Sequence, residues 1–294
     1  MPMNPRLLRP RALQGVPIYL ARLGMKFLAY NNNGSSMTSG ASVNTPGAWV
    51  QVLANNAVSA SETIVCLNIR CIGNNQGTGV DASALMDVGI GAAGSEVVIA
   101  PDIAVGGGVN SGGTGCNFAL PIKIPGATRV AFRFRCAQAS RIYIIQQVVF
   151  SGQIADSKFA DQLPTSVDTL GTSTATSSGT AMSGASGTWV EITPSTTKDY
   201  QALALIPSGP QDTTGGTQVV VHMDLGIGAA GSEQEIAHAG CTVNANGAIF
   251  PFDTNDAHGL FGGLIPAGTR IAVRHNQAAN PGRVAACVIG VPFP

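Results

Sequence analysis

Charge is what this sequence lacks most. Asp, Glu, Lys and Arg make up 11% of 294 residues, where a soluble domain carries about a quarter. Lysine is down to Lys26, Lys123, Lys158 and Lys198, and the 16 basic residues cancel the 16 acidic ones. A nucleic-acid-binding face needs a concentrated positive field, so no nucleic-acid partner is expected. Long apolar runs are missing too. A membrane-spanning helix needs about 18 to 20 apolar residues in succession, and no segment approaches that, so no membrane partner is expected. The motifs G-x-S-x-G, G-x-x-x-x-G-K-[ST] and H-E-x-x-H do not occur. Without them, no catalytic residue, metal ligand set or cofactor is expected. The six cysteines form no C-x-x-C and no zinc spacing with histidine. Several sit in apolar strand-like runs, where cysteine acts as a small buried hydrophobe. Reduced thiols are expected, with synthesis and assembly in a cytoplasm.

What the chain has in excess is glycine, 37 residues, or about one in eight against a usual 7%. With abundant Ser, Thr, Asn and Val, this is a turn-rich and strand-rich profile. A sparsely charged surface is poorly protected against association. Much of it is therefore expected to be covered by partners.

One glycine stretch poses a question. "MDVGIGAAGSE" (86–96) contains Gly89-Ile90-Gly91-Ala92-Ala93-Gly94, which spells the dinucleotide-binding G-x-G-x-x-G. That fingerprint needs a helix after it, whose N-terminus binds the pyrophosphate. Here "SEVVIAPDIAVGGG" follows, and Pro101 with three glycines forbids a long helix. A strand with Met86, Val88 and Ile90 inward, feeding a tight glycine turn, is the better account. The same stretch recurs as "MDLGIGAAGSE" (223–233).

The recurrence is part of a duplication. "GAWVQV" (47–52) matches "GTWVEI" (187–192), pairing Trp49 with Trp189, and "IPGATRVAFR" (124–133) matches "IPAGTRIAVR" (265–274). "QAS" at 138 matches "QAA" at 277, and "VVF" (148–150) is aligned with "VPF" (291–293). Each copy reads as strands. In "TRVAFRFRC", Val130, Phe132, Phe134 and Cys136 alternate with Arg129, Ala131, Arg133 and Arg135, a period of two. In "ETIVCLNIRCI", Val65, Leu67, Ile69 and Cys71 are expected on one side, with Asn68 and Arg70 on the other. The expected fold is all-β: two tandem duplicated antiparallel β-sandwich domains, jelly-roll-like, with a simple barrel as the alternative. The expected layout is an extended N-terminal arm over 1–28, a first sandwich over 29–150, a linker over 151–165 and a second sandwich over 166–294. In the linker, Ala155, Phe159 and Leu163 could share one face of a short helix stopped by Pro164.

The remaining candidates are weighed by their chemistry. Asp87, Asp224, Glu96 and Glu233 sit at matched places in both copies. They either bind a cation or cap turns and pair with Arg129 or Arg270. Arg133 and Arg135 on a strand face, with Arg141 after them, form either a solvated face or a contact between subunits. The basic segment with Arg6, Arg9, Arg11 and Arg22 has no uninterrupted apolar core of about 7 to 15 residues, as a secretory signal would. It reads as a flexible tail or as an arm that docks on a neighbouring subunit. His222, His238, His258 and His275 all lie in the second copy with no metal spacing. Trp49 and Trp189 are either core anchors or stacking platforms for sugars.

Tandem sandwiches carrying W-V, D-[VL]-G-I-G-A-A-G-S-E and I-P-x-x-T-R-[VI]-A-x-R resemble structural proteins of tailed-bacteriophage virions, over most of residues 40–294. The resemblance implies a non-enzymatic virion component that decorates or cements the capsid or forms a head fibre. It implies the major capsid protein or other virion proteins as partners, a homotrimer, and location in the virion after assembly in the host cytoplasm. The N-terminal arm, with Arg6, Arg9, Arg11 and Arg22, would then be the attachment segment, and Arg133, Arg135 and Arg141 stay as the remaining attachment or interface candidates. A tail or fibre protein that binds host surface glycans is the alternative.

Overall fold

The structure is a computed structural model. It describes residues 25–31, 35–72, 84–105, 115–136, 138–153, 159–171, 180–182, 187–211, 219–243, 249–251, 259–277 and 283–294. Among the described residues, the first half has nine strands: β1 (Met25–Asn31), β2 (Ser35–Thr38), β3 (Val50–Leu53), β4 (Thr63–Ile72), β5 (Ala84–Ile90), β6 (Val97–Val105), β7 (Gly115–Pro125), β8 (Val130–Cys136) and β9 (Ile142–Gln153). A 3-10 helix spans Phe159–Gln162. Ten strands follow among the described residues: β10 (Asp168–Leu170), β11 (Thr180–Met182), β12 (Val190–Thr193), β13 (Tyr200–Gln211), β14 (Val219–Ile227), β15 (Gln234–Val243), β16 (Ile249–Pro251), β17 (Gly259–Ile265), β18 (Ile271–Gln277) and β19 (Arg283–Pro292).

The first half folds into two sheets, β1-β9-β4-β7 with β2 also on β9, and β3-β8-β5-β6. With β1 and β2 counted as one broken strand, the orders are 1-8-3-6 and 2-7-4-5. These are the two interlocked Greek keys of a jelly roll. The second half repeats both orders, as β10-β19-β13-β17 with β11 on β19, and β12-β18-β14-β15. It adds β16 on the edge of β15. All these pairings are antiparallel.

The alternation read from "TRVAFRFRC" holds for Val130, Phe132, Phe134 and Cys136, all fully buried, and for the partly exposed Arg133 and Arg135, but Ala131, expected on their face, is fully buried as well. The alternation read from "ETIVCLNIRCI" does not hold throughout. A bulge between Ile64 and Cys66 shifts the phase of β4. Ile64, Leu67 and Ile69 enter the main core. Val65 instead joins Cys66, Ala160 and Leu163 in a small separate cluster under the 3-10 helix. An extra residue in one strand has this effect because side chains alternate with a period of two. The expected helical face is also corrected. Ala155 lies outside the described residues, and the observed element is a single 3-10 turn with Ala160 and Leu163 packed inward, the i, i+3 spacing of that helix.

Two boundaries move. β1 begins at Met25, inside the stretch expected as an arm, and β9 continues to Gln153, inside the expected linker. The last aligned block also shifts. Leu67 faces Phe150 across β4 and β9, and Leu203 faces Gly290 across β13 and β19. Phe150 is therefore the counterpart of Gly290, and "VVF" (148–150) corresponds to "VIG" (288–290) rather than to "VPF".

The halves differ in how one sheet is used. In β13 and β19, Leu203, Leu205, Ala286 and Val288 point into the second core. The alternate residues Ala204, Ile206, Cys287, Ile289 and Val291 belong to the core cluster of the first half. The run "ACVIGV" (286–291) is apolar throughout because that part of its strand is buried on both faces. The register makes Asn68 and Arg70 the counterparts of Ala204 and Ile206. The first copy carries polar residues where the second is apolar. A backbone bond joins the halves as well, from Val167 N–H to the Ile99 carbonyl at 2.9 Å, and Lys123 N–H donates to the carbonyl of Pro164 in the linker at 2.8 Å.

Candidate functional site

The most strongly repeated polar arrangement lies on the outward face of β3, β8 and β5. Asp87 on β5 is the register partner of Arg133 on β8. Arg133 Nε donates to Asp87 Oδ2 at 2.8 Å. Its guanidinium lies over the half-buried Trp49 ring, 4.5 Å from the centroid, a cation–π stack. The far edge of that indole sits against Gly89. A Cβ there would fall 2.6 Å from Trp49 Cη2, so only glycine admits the ring. The second copy repeats each contact. Arg274 Nε reaches Asp224 Oδ2 at 2.7 Å, its guanidinium lies 4.5 Å from the Trp189 centroid, and a Cβ on Gly226 would lie 2.6 Å from Trp189 Cη2. Arg274 makes one further bond, from Nη2 to Glu235 Oε2 at 3.1 Å.

Next to this stack is the glycine turn. β5 ends at Ile90 and β6 starts at Val97, so the motif joins two strands. Gly91 and Gly94 take φ of +117° and +82°, as Gly228 and Gly231 take +116° and +81°. That left-handed region is open to glycine and strained for other residues. Glu96 closes the turn: its Oε2 accepts from Gly94 N–H at 2.9 Å and its Oε1 from Arg129 Nη1 at 2.7 Å. Arg129 also donates to the Gly91 carbonyl and, through Nε, to Gln51. In the second copy Arg270 bridges Glu233, the Gly228 carbonyl and Glu191. Burial pushes the Glu96 carboxyl up, but the hydrogen bond from Arg129, backbone N–H donors and the Arg129 charge outweigh it. Its pKa falls below the ordinary carboxylate value. For Glu233, burial again opposes the shift, while backbone donors and Arg270 produce the same net lowering. The glycines thus bend backbone, and the carboxylates cap turns and pair with arginine.

Of the arginines expected at an attachment surface, Arg6, Arg9, Arg11 and Arg22 lie outside the described residues. Arg133 is held as above. Arg135 pairs with Asp102, whose own N–H donates to Asp87 Oδ1 at 3.0 Å. Arg141 donates its backbone N–H to Ser39 Oγ at 2.9 Å. The Nε atoms of Arg135 and Arg141 are buried without a hydrogen-bond partner. The structure brings Arg133 and Arg135 together through Asp87 and Asp102, and places Arg141 outside that network. Sequence reading missed Asp102, which sits at φ +53° in a bulge of β6, a position no composition signal marks. It also missed Gln51 and Glu191 as partners, although they occupy the same place in "WVQV" and "WVEI". Among the described residues, no group of three His, Cys, Asp or Glu could hold a metal ion.

No protein-family model matches this chain, and no curated protein sequence does. Among solved structures, it is similar to the CBM22-1-CBM22-2 tandem domain of Paenibacillus barcinonensis Xyn10C at 12% identity and a TM-score of 0.24, over 90% of this chain and 98% of that one. A Paenibacillus xanthan lyase matches at 13% identity and a TM-score of 0.21, over 92% of this chain and 26% of the other. Infectious bursal disease virus Gt strain matches at 9% and 0.20, over 92% and 73%. Scores this low transfer no role.

One histidine makes the second copy sensitive to acid. His275 is 3% exposed, and its Nδ1 is buried with no hydrogen-bond partner. It stands where the first copy has Phe134. Burial lowers its pKa below 6.5. Above that pH the folded and unfolded chains are both neutral at this site, and the full stability is present. As pH falls, the unfolded chain takes up the proton first, so stability is lost between 6.5 and the lower folded value. The thermal midpoint is expected to drop between pH 7.5 and pH 5. In His275→Phe the drop should be smaller, and an equal drop would show that other groups cause it.

Proposed function

We propose that this protein is a non-enzymatic structural component of a bacteriophage particle, one that decorates or cements the capsid or forms a head fibre. The observation that supports this reading is the use made of the repeated motif. Asp87, Glu96, Arg129 and Arg133, and their counterparts Asp224, Glu233, Arg270 and Arg274, are held in ion pairs that fix strand faces and turns in both copies. What the duplication preserves is a scaffold. A scaffold of sandwiches offers wide strand faces for packing against a shell and against further copies.

The test is co-sedimentation of the purified chain with genome-filled heads that lack it. Saturable binding is expected, and it should be lost on deleting residues 1–24. The deletion stops there because β1 begins at Met25. Failure of the full chain to bind heads, combined with adsorption of the isolated chain to host cells, would overturn this reading in favour of a glycan-binding tail or fibre protein.

A further inference from the structure

The repeated motif keeps more residues than the scaffold uses. Ala92, Ala93, Gly94 and Ser95 form an exposed tip between β5 and β6, and Ala229, Ala230, Gly231 and Ser232 form the same tip between β14 and β15. Ser95 N–H donates to the Ala92 carbonyl at 3.0 Å, as Ser232 N–H does to the Ala229 carbonyl at 3.0 Å. Each bond closes a four-residue turn whose third residue is the glycine with positive φ. The fold therefore accounts for Gly94 and Gly231. It does not account for the other three residues of each tip. None of them has a positive φ, and the second place of such a turn accepts most side chains, proline included. Space does not restrict them either, since a Cβ built on Gly94 or Gly231 meets nothing within 4 Å. Other exposed positions have drifted apart. Of the described positions in or beside the aligned blocks that are exposed in both copies, Ala48 has become Thr188, Gln51 Glu191, Val97 Gln234 and Ala127 Gly268, and outside the tips only Pro125 and Pro266 agree. Loop residues kept without a structural need point to recognition.

Two identical tips need a partner that offers the same site more than once. This chain is a poor receptor for them, because the exposed strand positions that could form a duplicated receptor differ between its halves, as with Gln51 and Glu191 or Lys123 and Leu264. A shell built from identical subunits repeats every surface site by construction. The tips are also uncharged, and Glu96 and Glu233 beside them are neutralised by Arg129 and Arg270, in keeping with the charge-depleted centre of a protein interface. We propose that the two tips are the points at which this chain seats on the particle shell, each on an equivalent site of a shell subunit. The proposal rests on the reading of the chain as a particle component and names the surface that does the binding.

The experiment measures co-sedimentation with genome-filled heads that lack the protein. It compares the full chain with Ala93→Arg, Ala230→Arg and the double variant. Ala48→Arg serves as the control at an exposed position that differs between the copies. All variants are expected to melt within about 2 °C of the unmodified chain, as surface substitutions do. Each single tip variant should weaken binding by about tenfold or more, and the double variant should abolish it, while Ala48→Arg binds as before. Full binding by the double variant, or a loss confined to one of the two single variants, would overturn the proposal and leave the proposed function in place. An unmodified chain that does not bind heads overturns both. A lower melting midpoint accompanying the lost binding would assign the tips to the fold. Self-association of the isolated chain that the tip substitutions remove would assign them to contact between copies. Either result overturns the proposal.

Discussion

Replacing Ile206 with arginine is expected to split the unfolding of this chain into two transitions. Ile206 is 1% exposed and belongs to the core cluster of the first half, although its strand β13 belongs to the second. The first copy has Arg70 at the same register position. What an arginine at position 206 violates is the contact between the halves. An uncompensated buried charge costs on the order of 3 to 5 kcal/mol, and the chain escapes that cost by parting the two sandwiches and hydrating the side chain. Calorimetry of the unmodified chain should show one dominant transition, because a large apolar contact couples its two sides. The variant should show two, each with a smaller enthalpy. A single transition at a lower midpoint would mean that the second sandwich cannot stand without the first.

The second large effect concerns an aromatic ring that has changed strands. In the first copy Ile64 and Phe150 are fully buried on β4 and β9. In the second, their counterparts are Tyr200 and Gly290, and a Cβ on Gly290 would lie 2.5 Å from Tyr200 Cε1. One ring fills the space in each copy, supplied by opposite strands. Gly290→Phe should overpack that space at about 1 to 3 kcal/mol. Tyr200→Ile should lose about 2 to 4 kcal/mol through the cavity, together with the hydroxyl's bond to Asp168 at 3.0 Å. The double variant restores the arrangement of the first copy. Its loss in denaturant titration should fall short of the sum of the single losses by about 1 kcal/mol or more. Additive losses would show that the ring positions are not exchangeable.

These two cases show what the sequence could and could not convey. The duplication, the strand alternation of β8 and the glycine turn were legible because each depends on residues close together in the chain. The pairing of Glu96 with Arg129 was open to reading as one of two alternatives, since both residues recur in fixed places. The bulge at Val65 was not legible, because a phase shift leaves an apolar run looking continuous. The exchange of Phe150 for Tyr200 was hidden for a related reason. Similar letters in "VVF" and "VPF" suggested an alignment three residues away from the one the hydrogen-bond ladder enforces. The two-faced burial of β19 was visible only as an apolar run, and nothing local says that the other half covers the second face.

That two-faced sheet also bears on synthesis. The surface that receives Ala204, Ile206, Ile289 and Val291 is made by residues that leave the ribosome earlier. The leading sandwich can therefore close while the trailing one is still being translated. Once β13 and β19 emerge, a finished apolar shelf awaits them, which shortens the time their second apolar face spends in water. A chain with the two copies in reversed order would expose that face before its cover existed, and would be the more prone to aggregate.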